Sequence, residues 1–333
     1  MSDVCVTRRR AAAVLVVAFV VAAVPYAAEA QRVEGSFERT LTVAGGTAID
    51  VTTGSGRIEV RQGPAGRVEI SGRITANDGW GRRTSLSAEE RVRRIEAAPP
   101  VEQAGNTIRI GHSLPEELRE GVSISYTMTI PGDSTLRSRT GSGSQQIQGI
   151  KGEVNAGTGS GSLTFRDTGG VRGATGSGSI TADEVGGALH ATTGSGSIRA
   201  SGVNGAITAK TGSGGIEVEQ TGGGDVDVSS GSGTVRLRGV RGAVRAATAS
   251  GGVNIEGQLA GEWRLSAASG SVRIALPPGQ GFELDAGTGS GRIDVSVPVT
   301  VTGTIDRRSL RGTVQGGGPL LHVRTSSGSI QIQ

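Results

Sequence analysis

The chain is poor in cysteine and in aromatic residues. Cys5 is its single cysteine, and only eight of its 333 residues are Phe, Trp or Tyr. Since Cys5 lies in a segment that we expect to be removed on export, the mature chain has no cysteine and can form no disulfide. The scarcity of aromatic side chains argues against a carbohydrate site built as a platform of stacked rings.

Long apolar runs and concentrated basic segments are also missing after the first 30 residues. No later run reaches the length of a membrane-spanning helix, so we expect no stable membrane insertion once the leader is removed. The net charge is +4 and the pI is about 9.9, but the arginines are interspersed with acidic residues. Nucleic-acid binding needs a concentrated basic face, so we expect no nucleic-acid partner.

The first 30 residues have the features of a bacterial signal peptide. Three arginines at 8–10 form the basic region, residues 11–24 the apolar region, and 28–30 a small-x-small site, so we expect cleavage after Ala30. The alternative is a retained membrane anchor, for which an apolar stretch of 14 residues is short. We therefore expect export to the periplasm, the cell surface or the extracellular space.

One short phrase, Thr-Gly-Ser-Gly followed by alternating apolar residues, recurs through the chain in seven complete and four relaxed copies. The central serines are Ser55, Ser142, Ser160, Ser177, Ser195, Ser213, Ser232, Ser250, Ser269, Ser290 and Ser327. From Ser142 to Ser290 the spacing is 17 to 21 residues, and the longer gap to Ser327 suggests a degenerate copy at Ser309. A short period kept over so many copies is typical of a stacked solenoid.

Each copy lies between two stretches in which every second residue is apolar or small. For Ser213 these residues are Ile207, Ala209, Thr211, Ile216 and Val218. The alternation predicts two short strands, each with one buried face, joined by a glycine corner. An apolar residue eight positions after the serine suggests a short third side. The sequence therefore predicts an all-β, single-stranded parallel β-helix, or β-solenoid, with coils of about 18 residues, and crossover chirality favours the right-handed form.

The outward positions form two rows when the coils are stacked in sequence order. The row four residues after the serine is Thr181, Arg199, Glu217, Arg236, Asn254, Arg273 and Asp294. The row five residues before it is His190, Thr208, Asp227, Arg245, Arg264, Asp285 and His322. Alternating charges of this kind suit solvated faces, and each row is also a candidate ligand face.

Residues 78–135 interrupt the repeat. Ser87-Ala88-Glu89-Glu90 fits a capping box at the start of a short helix, and strand-like alternation follows at 107–110 and 122–130. The chain thus divides into a signal peptide (1–30), first solenoid coils (31–77), a capping insertion with a short helix and strands (78–135) and the main β-solenoid (136–333). The alternative for 78–135 is a separate functional module. No comparable cap follows the last coil, which leaves end-to-end self-association open.

No motif predicts a catalytic residue, a cofactor or a metal. The glycine-rich phrase recurs between strands, unlike a nucleotide loop. Residues 222–227 resemble one unit of a calcium β-roll, but stacking places Arg245 and Thr208 beside Asp227. His190 and His322 are seven coils apart in sequence order, so they cannot converge on a metal or a nucleophile.

Trp80 is the one aromatic residue that we expect to be exposed. It is flanked by glycines and followed by Arg82 and Arg83, so these three residues are candidates for ligand contact. The alternative is that Trp80 anchors the cap. The aromatic residues on or near inward positions, which we expect in the core, are Phe165, Trp263 and Phe282.

Three segments in this order resemble the DUF4097 family of bacterial β-strand-repeat proteins, which are described as candidate adhesins. They are the strand at 37–41 (FERTL), the unit at 53–60 (TGSGRIEV) and the strand at 122–131 that closes in Ile-Pro, followed by the Gly-Ser-Gly series. The resemblance covers residues 36–333. It implies a β-helix at the cell envelope, and in some relatives a link to envelope stress and antimicrobial-peptide response. Those relatives tend to carry an anchor or a regulatory module that we do not find in this chain.

The expected function is therefore that of a non-enzymatic exported adhesin or scaffold that presents its ladder faces to an unidentified envelope or surface component. The alternative is an envelope-stress-linked protein that captures antimicrobial peptides or lipids through the capping insertion or an open strand edge. A carbohydrate-active enzyme is the third alternative, and its candidate acids are Glu217, Asp225 and Asp227.

Overall fold

The computed structural model describes residues 32–78, 85–301, 306 and 308–333. In these residues, 29 strands form two sheets of 14 and 15 strands, and successive coils pair in parallel. The prediction of an all-β solenoid is therefore confirmed. The two helices are α1 (Ala88–Ala97) and α2 (Glu116–Arg119), and within the described part of the chain neither is long and apolar enough to cross a membrane.

The strands of the two sheets alternate along most of the chain. The first sheet contains β1 (Arg32–Thr42), β3 (Ile58–Gly63), β4 (Arg67–Asn77), β7 (Val122–Pro131), β9 (Gln145–Gln148), β11 (Leu163–Thr168), β13 (Ile180–Val185), β15 (Ile198–Val203), β17 (Ile216–Gln220), β19 (Val235–Val240), β21 (Val253–Gly257), β23 (Val272–Ala275), β25 (Ile293–Val295) and β29 (Ile330–Ile332). The second sheet contains β2 (Ala48–Thr53), β5 (Val101–Ala104), β6 (Thr107–Ile110), β8 (Thr135–Thr140), β10 (Val154–Thr158), β12 (Val171–Thr175), β14 (Leu189–Thr193), β16 (Ile207–Thr211), β18 (Val226–Ser230), β20 (Val244–Thr248), β22 (Trp263–Ala267), β24 (Phe282–Thr288), β26 (Val299–Val301), β27 (Ser309–Val314) and β28 (Leu320–Thr325).

Each coil consists of one strand of the second sheet, a corner and one strand of the first sheet. In the coil of Ser195, β14 turns Leu189 and Ala191 inward, and β15 turns Ile198 and Ala200 inward. The inward side chains of all coils join in one continuous core. Each fully buried leucine or isoleucine in such a core contributes about 1.5–3 kcal/mol.

The hydroxyl at the start of each corner is hydrogen-bonded in two directions. Thr193 Oγ1 donates to the carbonyl oxygen of Gly178 in the preceding coil (2.8 Å) and accepts from the N–H of Gly196 in its own coil (3.1 Å). The hydroxyls that make the same donation are those of Thr140, Thr158, Thr175, Thr211, Ser230, Thr248, Thr288 and Thr325. Because a buried hydroxyl is costly unless it is satisfied, these bonds fix how one coil stacks on the next.

The second glycine of the corner is required by close contact between coils. A Cβ added at Gly196 would lie 1.9 Å from the carbonyl oxygen of Gly178, a distance that no side chain can adopt. The recurrence of glycine at this position in every copy of the phrase therefore follows from how closely neighbouring coils stack.

The predicted third side of the coil is wrong. The apolar residue eight positions after the serine, such as Val203, lies at the end of the same first-sheet strand. A residue in the left-handed region kinks the strand just before it, as Gly202 does with a φ of 65° and Glu184 with a φ of 55°. The kink turns the apolar side chain inward, so two sheets suffice to close the coil.

The last coil of the sequence is not the last coil in space. The coil of Ser327 (β28 and β29) stacks on β22 and β23, and the coil that contains Ser290 at its corner (β24 and β25) stacks beyond it. The predicted degenerate coil at Ser309 is wrong, because Ser309 begins β27, which pairs antiparallel with β24 and β26. The long gap in the repeat is thus occupied by strands that cover the end of the second sheet.

At the other end, strands from 101–131 lie beyond the first coil. β6 and β7 pair in parallel with β2 and β3, and β5, β4 and β1 follow as antiparallel strands. Residues 32–77 thus contribute one coil, β2 and β3, and the two antiparallel strands β1 and β4. The predicted N-cap of α1 is confirmed, since Ser87 Oγ accepts from the N–H of Glu90 (3.2 Å). The one-turn helix α2 was not predicted.

The buried Arg91 of α1 ties the capping segments together. Its Nη2 donates to Asp78 Oδ1 (2.8 Å) and to the carbonyl oxygen of Asn77 at the end of β4 (3.0 Å). Its Nη1 donates to the carbonyl oxygen of Glu120, just before β7. A buried arginine is tolerated here because its donors are satisfied.

The outermost strand of the first sheet, β1, is protected against pairing with another chain. Glu96 Oε1 accepts from the N–H of Ser36 (2.9 Å), and Gln103 Nε2 donates to the carbonyl oxygen of Thr42 (2.9 Å). Side chains that occupy edge groups in this way hinder strand addition. At the opposite end, the first sheet closes with the three-residue strand β25, so the predicted end-to-end association would use β25 rather than the last coil of the sequence.

We expect Thr193→Val to lower the free energy of unfolding by about 1–3 kcal/mol, because it leaves the buried Gly178 carbonyl and Gly196 N–H without a partner. The matched control is Thr192→Val in the same strand, whose side chain faces solvent and which should change stability by no more than about 0.5 kcal/mol. Urea unfolding followed by circular dichroism measures both. Equal stability of the two variants would contradict the role of the corner hydroxyl.

Candidate binding surface

The outward faces of the two sheets each carry a row of aligned side chains. The first-sheet ladder is Thr181, Arg199, Glu217, Arg236, Asn254, Arg273, Gln331 and Asp294, in spatial order. The second-sheet ladder is His190, Thr208, Asp227, Arg245, Arg264, His322, Asp285 and Arg311. Both contain the residues of the predicted rows, but the inserted coil adds Gln331 to the first and reverses Asp285 and His322 in the second.

A groove of ≈ 370 Å³ lies on the first-sheet ladder, and Arg236, Asn254 and Arg273 line it. Arg273 Nε donates to Gln331 Oε1 (3.0 Å). The Arg236 side chain makes no ion pair or hydrogen bond with the described residues, and Asn254 Oδ1 is buried without a donor among them. Of the three arginines that line the groove, Arg238 and Arg273 have side-chain partners, so the exposed Arg236 guanidinium is the one that a ligand could bind without displacing a described partner.

The neighbouring part of this ladder is neutralised by ion pairs. Arg199 Nε lies 4.0 Å from Glu217 Oε2, and Arg238 Nη1 lies 3.4 Å from Glu217 Oε1. All three side chains are largely exposed, so each pair contributes less than about 1 kcal/mol. On this part of the ladder, the groups without a described partner are therefore the exposed Arg236 side chain and the buried Asn254 Oδ1.

The second-sheet ladder contains two adjacent arginines, Arg245 and Arg264. Arg264 turns to Glu262, with Nε 2.7 Å from Oε1 and Nη2 3.2 Å from Oε2. The hydrogen bond from Arg264 lowers the pKa of Glu262, and the same bond raises the pKa of Arg264. The ion pair with Glu262 offsets the repulsion between Arg264 and Arg245, which stacking places side by side.

Asp285 accepts contacts from three basic side chains at the end of this ladder. Its Oδ2 lies 2.8 Å from Arg324 Nη2 and 3.1 Å from His322 Nδ1, and its Oδ1 lies 3.0 Å from Arg311 Nε. Burial alone would raise the pKa of Asp285, but hydrogen bonds from Arg324 and Arg311 outweigh it and hold the pKa below its ordinary value. Sequence order concealed this cluster, because Arg311 lies on an antiparallel strand and the coil of Ser327 is inserted. The break in the repeat after Ser290 was the only signal.

The candidate acids of a carbohydrate-active enzyme do not converge. Glu217 faces outward from the first sheet and Asp227 from the second, with the core between them. Asp225 Oδ1 accepts from the N–H of Ala243 (3.1 Å). Glycosidases need two carboxylates on either side of one bond, about 5–10 Å apart.

The histidines are also separated. His190 lies on β14 and His322 on β28, five coils apart in space rather than the predicted seven, and His112 pairs with Asp50 in the capping region (3.2 Å). Among the described residues, no group of three or more His, Cys, Asp or Glu side chains could hold a metal.

The predicted contact residues and the predicted core aromatic residues differ in whether the structure describes them. Trp80, Arg82 and Arg83 lie outside the described residues, as does the cleavage site after Ala30. The aromatic residues predicted to be core, all buried as expected, are Phe165, Trp263 and Phe282. Trp263 Nε1 also donates to the carbonyl oxygen of Gly242 (3.1 Å).

Comparison with known proteins gives a family match. A family model described as Toastrack DUF4097 matches residues 47–333, which confirms the resemblance seen in the sequence. No curated protein matches the chain. Two solved structures are similar: a candidate cell adhesion protein from Clostridium sporogenes ATCC 15579 (14% identity, 90% of this chain and 99% of that one, TM-score 0.18) and a candidate adhesin from Bacteroides fragilis NCTC 9343 (14% identity, 90% and 97%, TM-score 0.22).

We expect Asp285→Asn to lower the free energy of unfolding at neutral pH by about 1.5–3 kcal/mol, because hydrogen bonds from charged groups to this carboxylate are lost. The folded-state pKa is lowered, so this stabilisation is present above the ordinary value of 3.8 and is lost as pH falls below it. Asp227→Asn is the control, since Asp227 is half-buried and forms one described ion pair, with Lys210 Nζ 3.6 Å away. Thermal unfolding between pH 7 and pH 3 should show a smaller acid-induced loss in Asp285→Asn than in the other two proteins. An unchanged profile would contradict the assignment.

Proposed function

The chain belongs to the DUF4097 family, and we propose that it is a non-enzymatic exported protein that binds a component of the cell envelope or cell surface through its first-sheet ladder. It acts as an adhesin or scaffold, in which the solenoid holds a row of polar side chains at the spacing of stacked strands. The features in support are the leader predicted from the sequence of residues 1–30, the repeat architecture and the exposed Arg236 on the first-sheet ladder.

The observation that carries the proposal is the unsatisfied pair on the first-sheet ladder. Arg236 and Asn254 are adjacent in the parallel register, one with no partner among the described residues and the other with a buried acceptor. The corner hydrogen bonds fix the register of the neighbouring strands that carry these side chains. A ligand would therefore meet a preorganised row of side chains rather than flexible loops. Preorganisation of this kind reduces the entropy cost of binding.

A second candidate is the capture of antimicrobial peptides or lipids by an envelope-stress-linked protein. The observation in its favour is a cleft of ≈ 390 Å³ between the capping segment and the first coil, lined in part by Leu114, Val122 and Ile124. The carbohydrate-active alternative has less support, because Glu217 and Asp227 lie on opposite faces.

Co-sedimentation of the purified protein with isolated envelope fractions, at low and high salt, tests whether the first-sheet ladder binds an envelope component. Two variants with equal change in charge are compared, and all six arginines are exposed. The first-sheet variant replaces Arg199, Arg236 and Arg273 by Gln, and the second-sheet variant replaces Arg137, Arg172 and Arg245 by Gln.

We expect saturable binding that persists at high salt and that falls at least about tenfold in the first-sheet variant only, as for loss of one hydrogen bond to a charged group. Binding that disappears at high salt, or that falls equally in both variants, would show non-specific charge attraction. Either result would contradict specific binding through the first-sheet ladder. No binding to any fraction would contradict the proposal outright.

A further inference from the structure

The corner of the first coil, Thr53-Gly54-Ser55-Gly56, has no corner stacked on its outer side. The layer beyond it consists of β6 and β7, which are joined by residues 111–121 with α2 in place of a Thr-Gly-Ser-Gly corner. Thr53 Oγ1 still finds an acceptor, because it donates to the carbonyl oxygen of Ile124 (2.8 Å). The backbone of the corner itself faces a cleft.

The N–H of Gly54 is left without a partner by this arrangement. In the following coils the equivalent N–H donates to the corner before it, as Gly141 does to the Gly54 carbonyl (2.8 Å) and Gly159 to the Gly141 carbonyl (2.9 Å). Gly54 N–H makes no hydrogen bond with any described residue. Gly54 is exposed, so this N–H is available to a ligand that enters the cleft.

The space in front of Gly54 is open. A Cβ added at Gly54 would meet no atom within 4 Å, whereas a Cβ at Gly141 would lie 2.3 Å and at Gly159 2.4 Å from the carbonyl oxygen of the preceding corner. The position that the carbonyl oxygen of the preceding corner fills beside Gly141 and Gly159 is therefore vacant beside Gly54.

The first-corner cleft has a volume of ≈ 390 Å³, and its lining includes Gly54, Leu114, Arg119, Val122, Ile124 and Tyr126. Its size is that of a small-ligand site. Tyr126 is 1% exposed, and its hydroxyl has no hydrogen-bond partner among the described residues. The side chain is held in place by packing against Phe37, with ring centroids 6.3 Å apart.

A cation stands at the rim of the first-corner cleft. Arg119 Nε donates to the carbonyl oxygen of Leu114 (2.8 Å), which holds the side chain at the rim, and no described carboxylate pairs with it. His112, which also lines the cleft, has its Nε2 3.2 Å from Asp50 Oδ1. The cleft therefore offers a backbone N–H, a hydroxyl and a guanidinium as donors above an apolar wall.

We propose that the first-corner cleft binds the terminal carboxylate of a short apolar chain. One carboxylate oxygen takes the place of the missing corner carbonyl and accepts from Gly54 N–H, and the other oxygen faces Tyr126 and Arg119. The apolar body packs on Leu114, Val122 and Ile124. Carboxylates are favoured over neutral carbonyls because hydrogen bonds to a charged acceptor are about twice as strong. Backbone capture of a terminal carboxylate is an established mode of peptide recognition.

Two sources supply this chemistry: the carboxyl terminus of a peptide and a free carboxylic acid. Fluorescence anisotropy with a labelled tripeptide that ends in leucine and carries a free carboxylate measures binding to the purified protein. The same peptide with a terminal amide should bind at least about tenfold more weakly, because the charged acceptor is lost. Unlabelled isocaproate is the competitor that represents the free acid.

Three variants make the test specific. Gly54→Val fills the vacant position and should abolish binding, and Gly157→Val is its matched control, since a Cβ at either glycine meets nothing within 4 Å and Gly157 lies outside the cleft. Tyr126→Phe keeps the ring and should weaken binding about three- to tenfold, as for one lost hydrogen bond. It provides a second test if Gly54→Val alters the fold.

Loss of binding in Gly54→Val with retention in Gly157→Val supports the proposal. Displacement by isocaproate then identifies the carboxylate with its apolar body as sufficient, and failure to displace shows that the peptide backbone is also needed. Equal affinity for acid and amide, binding unaffected by both Gly54→Val and Tyr126→Phe, or no binding of either probe would overturn it. None of these results depends on the first-sheet ladder, so the two proposals can fail separately.

Discussion

The hydrogen bond from each corner hydroxyl to the glycine carbonyl of the neighbouring coil determines how the rest of the molecule can be built. It sits in the core, where no water can replace it, and it brings the two backbones so close that only glycine fits at positions such as Gly196. Strand pairing alone would tolerate small shifts between coils, but this contact does not. The aligned ladders on both outward faces are a consequence of that fixed register.

Local pattern predicted much of the fold because each coil buries its own alternation against its immediate neighbours. The strands flanking Ser195, the N-cap at Ser87 and the buried Trp263 all follow from short-range spacing. Stacking order did not follow, since the coil of Ser327 inserts between two earlier coils through long-range pairing that leaves no local trace. For the same reason the Asp285 cluster and the vacant place in front of Gly54 emerge only in three dimensions.

The two proposed sites represent two ways in which a solenoid can offer binding groups. Along the first-sheet ladder, the Arg236 side chain is open because Glu217 beside it pairs with Arg199 and Arg238 instead, and the buried Asn254 Oδ1 receives no donor. At the first corner, Gly54 N–H is open because the repeat itself begins there. At the same end, two backbone groups of the β1 edge are occupied by Glu96 and Gln103, whereas the Gly54 N–H is not occupied by any described residue.

Native-state hydrogen exchange of the corner glycines, resolved by NMR, tests this account most directly. The Gly194 N–H donates to the Gly176 carbonyl (3.0 Å), whereas the Gly54 N–H has no acceptor among the described residues. We predict that Gly194 exchanges at least about a thousandfold more slowly than Gly54, because opening a stacked corner requires cooperative unfolding. Comparable exchange at both glycines would contradict the central role of corner stacking and the vacancy at the first corner.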